Sequence, residues 1–339
     1  MKAMVLTALS KIEEQEIPQP VPADGEALVR VTGSGICGTD LKIFDGGMPA
    51  RLPLVMGHEI TGEIVKGHTA NGAGPGTRVV IDPTCACGTC FHCKIGQTNL
   101  CPNSLLIGRE RNGGFAEYMT IPETNAHSIP DDVDDDEAAF IQVFSTCWHA
   151  QMLAEIVPGE TVVVTGLGVA GQLHVQLAKA LGAGKVIGIT RSKWKRDMAE
   201  KFGADLTLAP DEDTPERILE ATDGRGADLG IETAGKLYTL AQTMDLVRLG
   251  GRILPFGIYT EKEGKLPFYD FYFKELKIIN ARASLANSFP ASTKLVRDGD
   301  IQIKPLITHV LPMTDLNKAM EMLATDEPGR MKMIIRASL

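Results

Sequence analysis

The stretch ETVVVTGLGVAG, residues 160–171, decides the fold. An unbroken β-branched run, Thr161 to Thr165, leads straight into a glycine pattern at Gly166, Gly168 and Gly171, and QLHVQLAKAL follows with helical character. In that context the glycines serve a tight turn, close backbone approach to a pyrophosphate, and packing of helix on strand, while the helix N-terminus faces phosphate charge. The competing reading is a glycine-rich turn in an ordinary βα unit. The next strand, KVIGIT at 185–190, would end in Asp or Glu to hold the ribose hydroxyls of NAD. It ends instead in Thr190, followed by Arg191, Ser192, Lys193 and, beyond Trp194, Lys195. Losing the carboxylate removes a repulsion, and the basic cluster offers charge-assisted bonds to a 2′-phosphate. NADP(H) is therefore expected, with NAD(H) as the alternative.

Outward from this turn, apolar strands alternate with helical segments from about residue 160 to Ile279, the pattern of βαβ units and a parallel sheet. Residues 1 to about 145 read differently. Short β-type runs such as EALVRVTG (26–33), GEIVKG (62–67) and TRVVIDP (77–83) are punctuated by Gly and Pro, so this half looks all-β. The acidic run DDVDDDE at 131–137 reads as a solvated turn leading into a helix, where acids suit the dipole. After the βαβ rhythm ends, a helical run at Asp315 to Ala324 and a strand at MKMIIRA (331–337) suggest a segment returning to the first domain. The expected division is 1–146, 147–280 and 281–339, in an α/β chain.

The 339 residues carry 34 basic and 43 acidic side chains, a formal charge of −9, which gives no general attraction to a phosphate backbone and argues against nucleic acid. The longest uncharged stretch, Thr161 to Ala178, contains Gln172, His174 and Gln176 and reads poorly as a membrane span. The N-terminal MKAMVLTAL is strand-like, without a signal-peptide pattern. A cytoplasmic protein is expected.

Four of seven cysteines cluster in CGTCFHCKIGQTNLC, at Cys87, Cys90, Cys93 and Cys101. That spacing can close a four-thiolate tetrahedron around zinc, leaving no open position, so such a metal shapes a lobe and does no chemistry. Cys85 and His92 are bystanders in this reading. A second group comprises Cys37, Thr39 and Asp40 in GICGTD (35–40) and, about twenty residues on, Gly57-His58-Glu59. A thiolate plus an imidazole makes a partial zinc shell, with a hydroxyl nearby to pass a proton. Taken alone, the pair fits a buried cysteine and a hydrogen-bonded core histidine better.

Together, GICGTD, GHE at 57–59, the four-cysteine loop, GGFAEY at 113–118, GLGVAG at 166–171 and PLITHVLP at 305–312 resemble the zinc-dependent medium-chain alcohol dehydrogenases, a group that includes alcohol, sorbitol, threonine and glucose dehydrogenases. The resemblance covers nearly the whole chain. It implies a GroES-like catalytic domain, a Rossmann doubly wound sheet, one catalytic zinc in the cleft between them, one structural zinc, and a homodimer or homotetramer. It implies an oxidoreductase passing a hydride between an alcohol or polyol, or the matching carbonyl compound, and the nicotinamide. Cys37, His58 and Glu59 match catalytic-zinc positions, and Thr39 the hydroxyl that takes the substrate proton. Thr146 falls where the family contacts the carboxamide, and Lys332 where a basic residue meets the pyrophosphate. Two positions depart from the pattern. The third ligand, commonly Cys or Glu, is Gln142, whose amide oxygen can bind zinc, and the end of the proton relay, often His, is Lys42. Phe44, Phe115 and Trp148 are candidates for the substrate pocket or for plain core. The other readings are a non-catalytic NADPH-binding relative and a zinc-independent double-bond reductase, whose kind lacks both the cysteine loop and the Cys/His pair.

Overall fold

The computed structural model describes residues 1–337 other than 262, 326 and 327. The chain divides into two compact units: Met1–Ser145 with Leu285–Gly299 and Ile303–Leu339, and Thr146–Ser284 with Asp300–Gln302.

The second unit is organised by a six-stranded sheet in the order Leu206–Leu208, Lys185–Ile189, Thr161–Thr165, Ala227–Glu232, Val247–Pro255, Lys277–Ile278. All of its pairings are parallel. Strands buried on both faces must be apolar throughout, and Val162, Val163 and Val164 are indeed completely covered. The order reverses at Thr161–Thr165, which is the switch point where a doubly wound sheet opens a crevice at its strand ends. The helix Val169–Ala180 starts immediately beyond the glycine turn.

In the first unit, a seven-stranded sheet is built around Glu26–Gly35, which pairs with Glu59–Lys66 and Tyr118–Pro122. The C-terminal strand Lys332–Arg336 pairs antiparallel with Glu26–Gly35 through Ile334↔Gly35. The long-range pairing thus brings the end of the chain beside Cys37. Separately, Lys2–Ala8 pairs with Lys11–Glu16 and Leu54–Val55 in a three-stranded sheet. Both sheets enclose apolar clusters, one centred on Ile60, Ile64, Val79 and Ile81 and another on Leu6, Met56 and Phe115.

Two sequence expectations need correction. The first half is not all-β, because the helix Gly38–Phe44 follows Cys37 and the helix Asp135–Ala154 begins within it. The division between the units falls inside the latter, between Ser145 and Thr146. Nor is the acidic run merely solvated. Asp135 accepts from Arg78 Nε at 3.1 Å and Asp136 from Arg336 Nη2 at 2.8 Å, so cations from two strands tie down the helix start. Among the described residues no helix is long and apolar enough to cross a membrane.

Candidate active site

Cys37 and His58 lie at opposite edges of one structural problem: a strand end and a loop must deliver both to one point. Cys37 precedes the helix Gly38–Phe44, and the helix's third residue, Asp40, solves the delivery. The Asp40 carboxylate has no exposed surface; it accepts the Cys37 backbone N–H at 2.9 Å and the Gly57 N–H at 3.3 Å, and its Oδ1 lies 3.3 Å from His58 Nδ1. One side chain therefore gathers both motifs. Gly57 has φ +92°, a backbone conformation that disfavours a side chain, and a Cβ there would stand 2.9 Å from Ser34 Oγ.

The result is a cluster in which ligand atoms of Cys37, His58 and Glu59 lie within 4.8 Å of one another, with His58 and Glu59 buried. Burial alone would push the His58 imidazolium pKa down; Asp40, then Cys37, outweigh it and hold the ring well above its ordinary value. With Nδ1 turned toward Asp40, the thiol, imidazole and carboxylate converge on one point, and a Cys/His/carboxylate donor set fits zinc. Gln142 is buried in the helix Asp135–Ala154, where its backbone carbonyl accepts Ser145 Oγ at 2.7 Å. Thr39 is buried one helical residue beyond Gly38.

Lys332, expected at a pyrophosphate, lies in the wall of this cluster. Its side chain is 3% exposed, its ammonium pairs with Glu59 and donates to Ile36 O at 3.0 Å, and it stands 5.6 Å from the centre of the Phe140 ring. A buried ammonium needs such partners, and this one neutralises Glu59. Of the pocket candidates, Phe115 is fully buried in the core and Phe44 packs against it. Sequence reading placed Asp40 in the group with Cys37 and Thr39 but gave it no role; its signal was the capping distance from Cys37 within GICGTD.

The second thiol group is equally compact. The sulfurs of Cys87, Cys90, Cys93 and Cys101 all lie within 4.8 Å of one another, and Cys90 and Cys93 sulfurs are 3.5 Å apart, too far for a disulfide. Backbone amides of Thr89 and Cys90 pull the Cys87 thiol down to about 5, while desolvation and then Cys90 push Cys93 up to about 12. Four sulfurs so crowded cannot all ionise without a cation among them, which again fits zinc. Cys85 is buried in the apolar core nearby, and His92 lies on the loop surface.

In the second unit the glycine turn divides its labour. Gly166 has φ +89°; a Cβ on Gly171 would stand 2.0 Å from Gly166 O; Gly168 faces open space. The first two are required by the turn and by helix packing, and the third leaves room for a ligand at the helix start. Beside the turn is a cavity of about 370 Å³. Thr165, Gly166, Thr190 and Arg191 line it, together with Asp211, Tyr238 and Gln242. Arg196 Nη1 donates to Thr190 O at 2.7 Å and Arg191 O at 2.9 Å, which fixes the strand exit. Ser192 is the residue preceding the helix Lys193–Lys201, and Lys195 lies 5.4 Å from the centre of the Trp194 ring, outside the cavity lining. Thr146 is half-buried on its helix.

Residues 23–131 match the alcohol dehydrogenase GroES-like domain, and residues 169–298 match the zinc-binding dehydrogenase domain. Sorbitol dehydrogenase of Halalkalibacterium halodurans is 31% identical over 96% of this chain and 97% of its own. The chain belongs to the zinc-dependent medium-chain alcohol dehydrogenase family. Two solved structures of similar architecture are a zinc-binding dehydrogenase of Sinorhizobium meliloti bound to NADP (32% identity, 99% and 98% coverage, TM-score 0.89) and a short chain alcohol dehydrogenase of Escherichia coli complexed with NADH (30%, 99% and 99%, 0.90). As a member of this family, the protein is an alcohol dehydrogenase whose reaction passes a hydride between a small-molecule alcohol and a nicotinamide cofactor, with zinc.

Proposed function

We propose that this dehydrogenase acts on a polyol or related secondary alcohol, or on the matching ketone or aldehyde, with NADP(H) preferred over NAD(H). The observation that carries the reading is the cluster of Cys37, His58 and Glu59 within 4.8 Å, in a chain whose nucleotide cavity is lined by Thr190 and Arg191 where the strand Lys185–Ile189 ends, its aspartates Asp211 and Asp245 coming from other segments. Cys37, His58 and Gln142 would hold the catalytic zinc, with Glu59 beside them. When bound, zinc supplies Lewis-acid polarisation of the substrate oxygen. Asp40 fixes the direction of the His58 ring, Lys332 holds Glu59, and the Thr39 hydroxyl moves the proton to or from the substrate oxygen. Cys87, Cys90, Cys93 and Cys101 would hold a second, structural zinc.

For the cofactor, the helix start at Gly168 takes the pyrophosphate, and Arg191, with a planar fork suited to phosphate, reads the 2′ position beside Thr190. Ser192 and Lys195 add a hydroxyl and a charge at the same helix start. Thr146 would meet the carboxamide. A homodimer or homotetramer is supported by the aromatic helix Phe268–Phe273, where Tyr272 is 77% exposed. A reducing cytoplasm suits a chain that clusters four of its seven cysteines, Cys87, Cys90, Cys93 and Cys101, at metal-ligand spacing.

The test is NADP+ and NAD+ reduction with the full chain across polyols, aldoses and simple secondary alcohols, together with zinc analysis. Two zincs per chain and a kcat/KM about a hundredfold higher with NADP+ are expected, from two charge-assisted bonds. Arg191→Ala should raise KM for NADP+ with little effect on NAD+, and Thr190→Asp should turn preference to NAD+. Equal or better kcat/KM with NAD+ in the unmodified enzyme defeats the NADP reading.

A further inference from the structure

The nucleotide cavity rests on a buried carboxylate that the proposed chemistry does not use. Glu232 ends the strand Ala227–Glu232 and has no exposed surface. Its charge is met by hydrogen-bond donors: Oε1 accepts Ala234 N–H at 2.8 Å, Gly235 N–H at 3.0 Å and Thr239 Oγ1 at 2.7 Å, and Oε2 accepts Gly235 N–H at 3.2 Å and the Tyr259 hydroxyl. Its backbone carbonyl also receives Phe256 N–H at 2.8 Å and Gly257 N–H at 2.9 Å. One residue therefore locks the turn after its own strand to the turn after Val247–Pro255. The approach is so close that a Cβ on Gly257 would stand 2.2 Å from Gly235 N.

The locked turn grips the glycine turn in its turn. Thr233 N–H donates to Thr165 O at 2.9 Å and Thr233 Oγ1 donates to Gly166 O at 2.8 Å. Thr165, Gly166, Ala234 and Thr239 all line the cavity, whereas Glu232 and Tyr259 do not. A hydrogen-bonded path thus runs from Tyr259 through Glu232 and the turn 233–235 to the first glycine of the phosphate-binding turn.

We infer that Glu232, with Tyr259 and Thr233, is a positioning system for the nucleotide: Tyr259, outside the cavity, sets cofactor affinity by fixing Glu232, which fixes Thr233 on Gly166. The inference rests on the cavity being the cofactor site. A carboxylate is needed there because both oxygens must accept; a glutamine would turn an NH2 group onto an N–H or O–H donor.

The experiment uses the full chain, with NADPH fluorescence for Kd and steady-state kinetics for KM and kcat. Tyr259→Phe should raise Kd and cofactor KM about fivefold, the loss of one bond to a charged acceptor partly transmitted, while kcat at saturating cofactor changes less than about twofold. Glu232→Gln should act in the same direction and more strongly. Because that variant risks misfolding, Thr233→Val and Thr233→Ser form a second arm: the valine weakens NADPH and the serine, which keeps the hydroxyl, restores it to within about twofold. If Tyr259→Phe and Thr233→Val lower Tm but leave Kd unchanged while Arg191→Ala weakens NADPH, the positioning role is wrong and the cavity reading stands. Should Arg191→Ala also leave Kd unchanged, the cavity is not the nucleotide site and the inference falls with it.

Discussion

The four sulfurs of Cys87, Cys90, Cys93 and Cys101 come from one short loop, whereas Cys37, His58, Glu59 and Lys332 arrive from a helix start, a strand start and the end of the chain. Their surroundings differ as much as their origins. Around the loop, Phe91 is 69% and Ile95 50% exposed, and its helix Phe91–Lys94 buries no residue. Around Cys37 and His58, Asp40 and Lys332 are buried and partnered, and core residues Phe115 and Met56 lie close in the chain fold. The difference teaches which site depends on its metal. On the proposed two-zinc reading, a lobe without an apolar core would take its order from four thiolates and an ion, whereas the cluster of Cys37, His58 and Glu59 is held by the fold and would keep its shape empty.

Four measurements would break or sharpen that contrast. Cys93→Ser should have the largest effect: structural zinc sites are worth on the order of 10 kcal/mol of apparent binding free energy, so residues 87–101 should lose hydrogen-exchange protection and the ribbon zinc together. A variant that keeps protection without metal would show that the lobe has a core of its own. Next, His58→Ala should cut kcat at least about a thousandfold, roughly 4 kcal/mol of barrier, with Tm nearly unchanged; a large drop in Tm would mean that the cluster too is assembled by its ligands.

Asp40→Asn is a smaller perturbation. It keeps the shape and the acceptor toward Cys37 but removes the charge beside His58, so catalytic-site zinc affinity should fall about ten- to a hundredfold, as removal of an outer partner does. Zinc analysis after graded chelation would read this while the ribbon zinc stays put. The smallest effect concerns the root of the lobe. Asp82, buried, accepts Thr84 N–H at 2.9 Å, and Asn125 Nδ2 ties Asp82 O and Thr84 O at 2.8 and 3.0 Å. Desolvation pushes the Asp82 carboxyl up to about 7. The fold thus favours its neutral form, so this group's contribution to stability is full below about pH 4, declines as pH rises toward 7, and is lost above. Asp82→Asn, which keeps the acceptor, should raise Tm by a few degrees at pH 8 and leave it unchanged near pH 4. No difference at pH 8 would mean that the carboxylate is solvated there.

The glycine turn and the cysteine loop could be read from the chain because each is a local device. Gly166, Gly168 and Gly171 act within one turn, and four cysteines within one loop need no distant partner, so spacing alone carries the chemistry. The basic exit at Thr190 and Arg191 was legible for the same reason, since a strand end and the residue after it stay together in any fold. What tertiary structure alone decided lies where partners are far apart. Lys332 reaches Ile36 across 296 positions and pairs with Glu59, a partner that no local pattern pointed to. Asp40 became the organiser of Cys37 and His58 only once Gly57 was brought against it. The helix Asp135–Ala154 crossed a boundary that composition had drawn between two classes of structure. Burial and long-range pairing fix these outcomes, because a buried charge takes whatever partner the packed sheets present to it, and no window of sequence contains both members of such a pair.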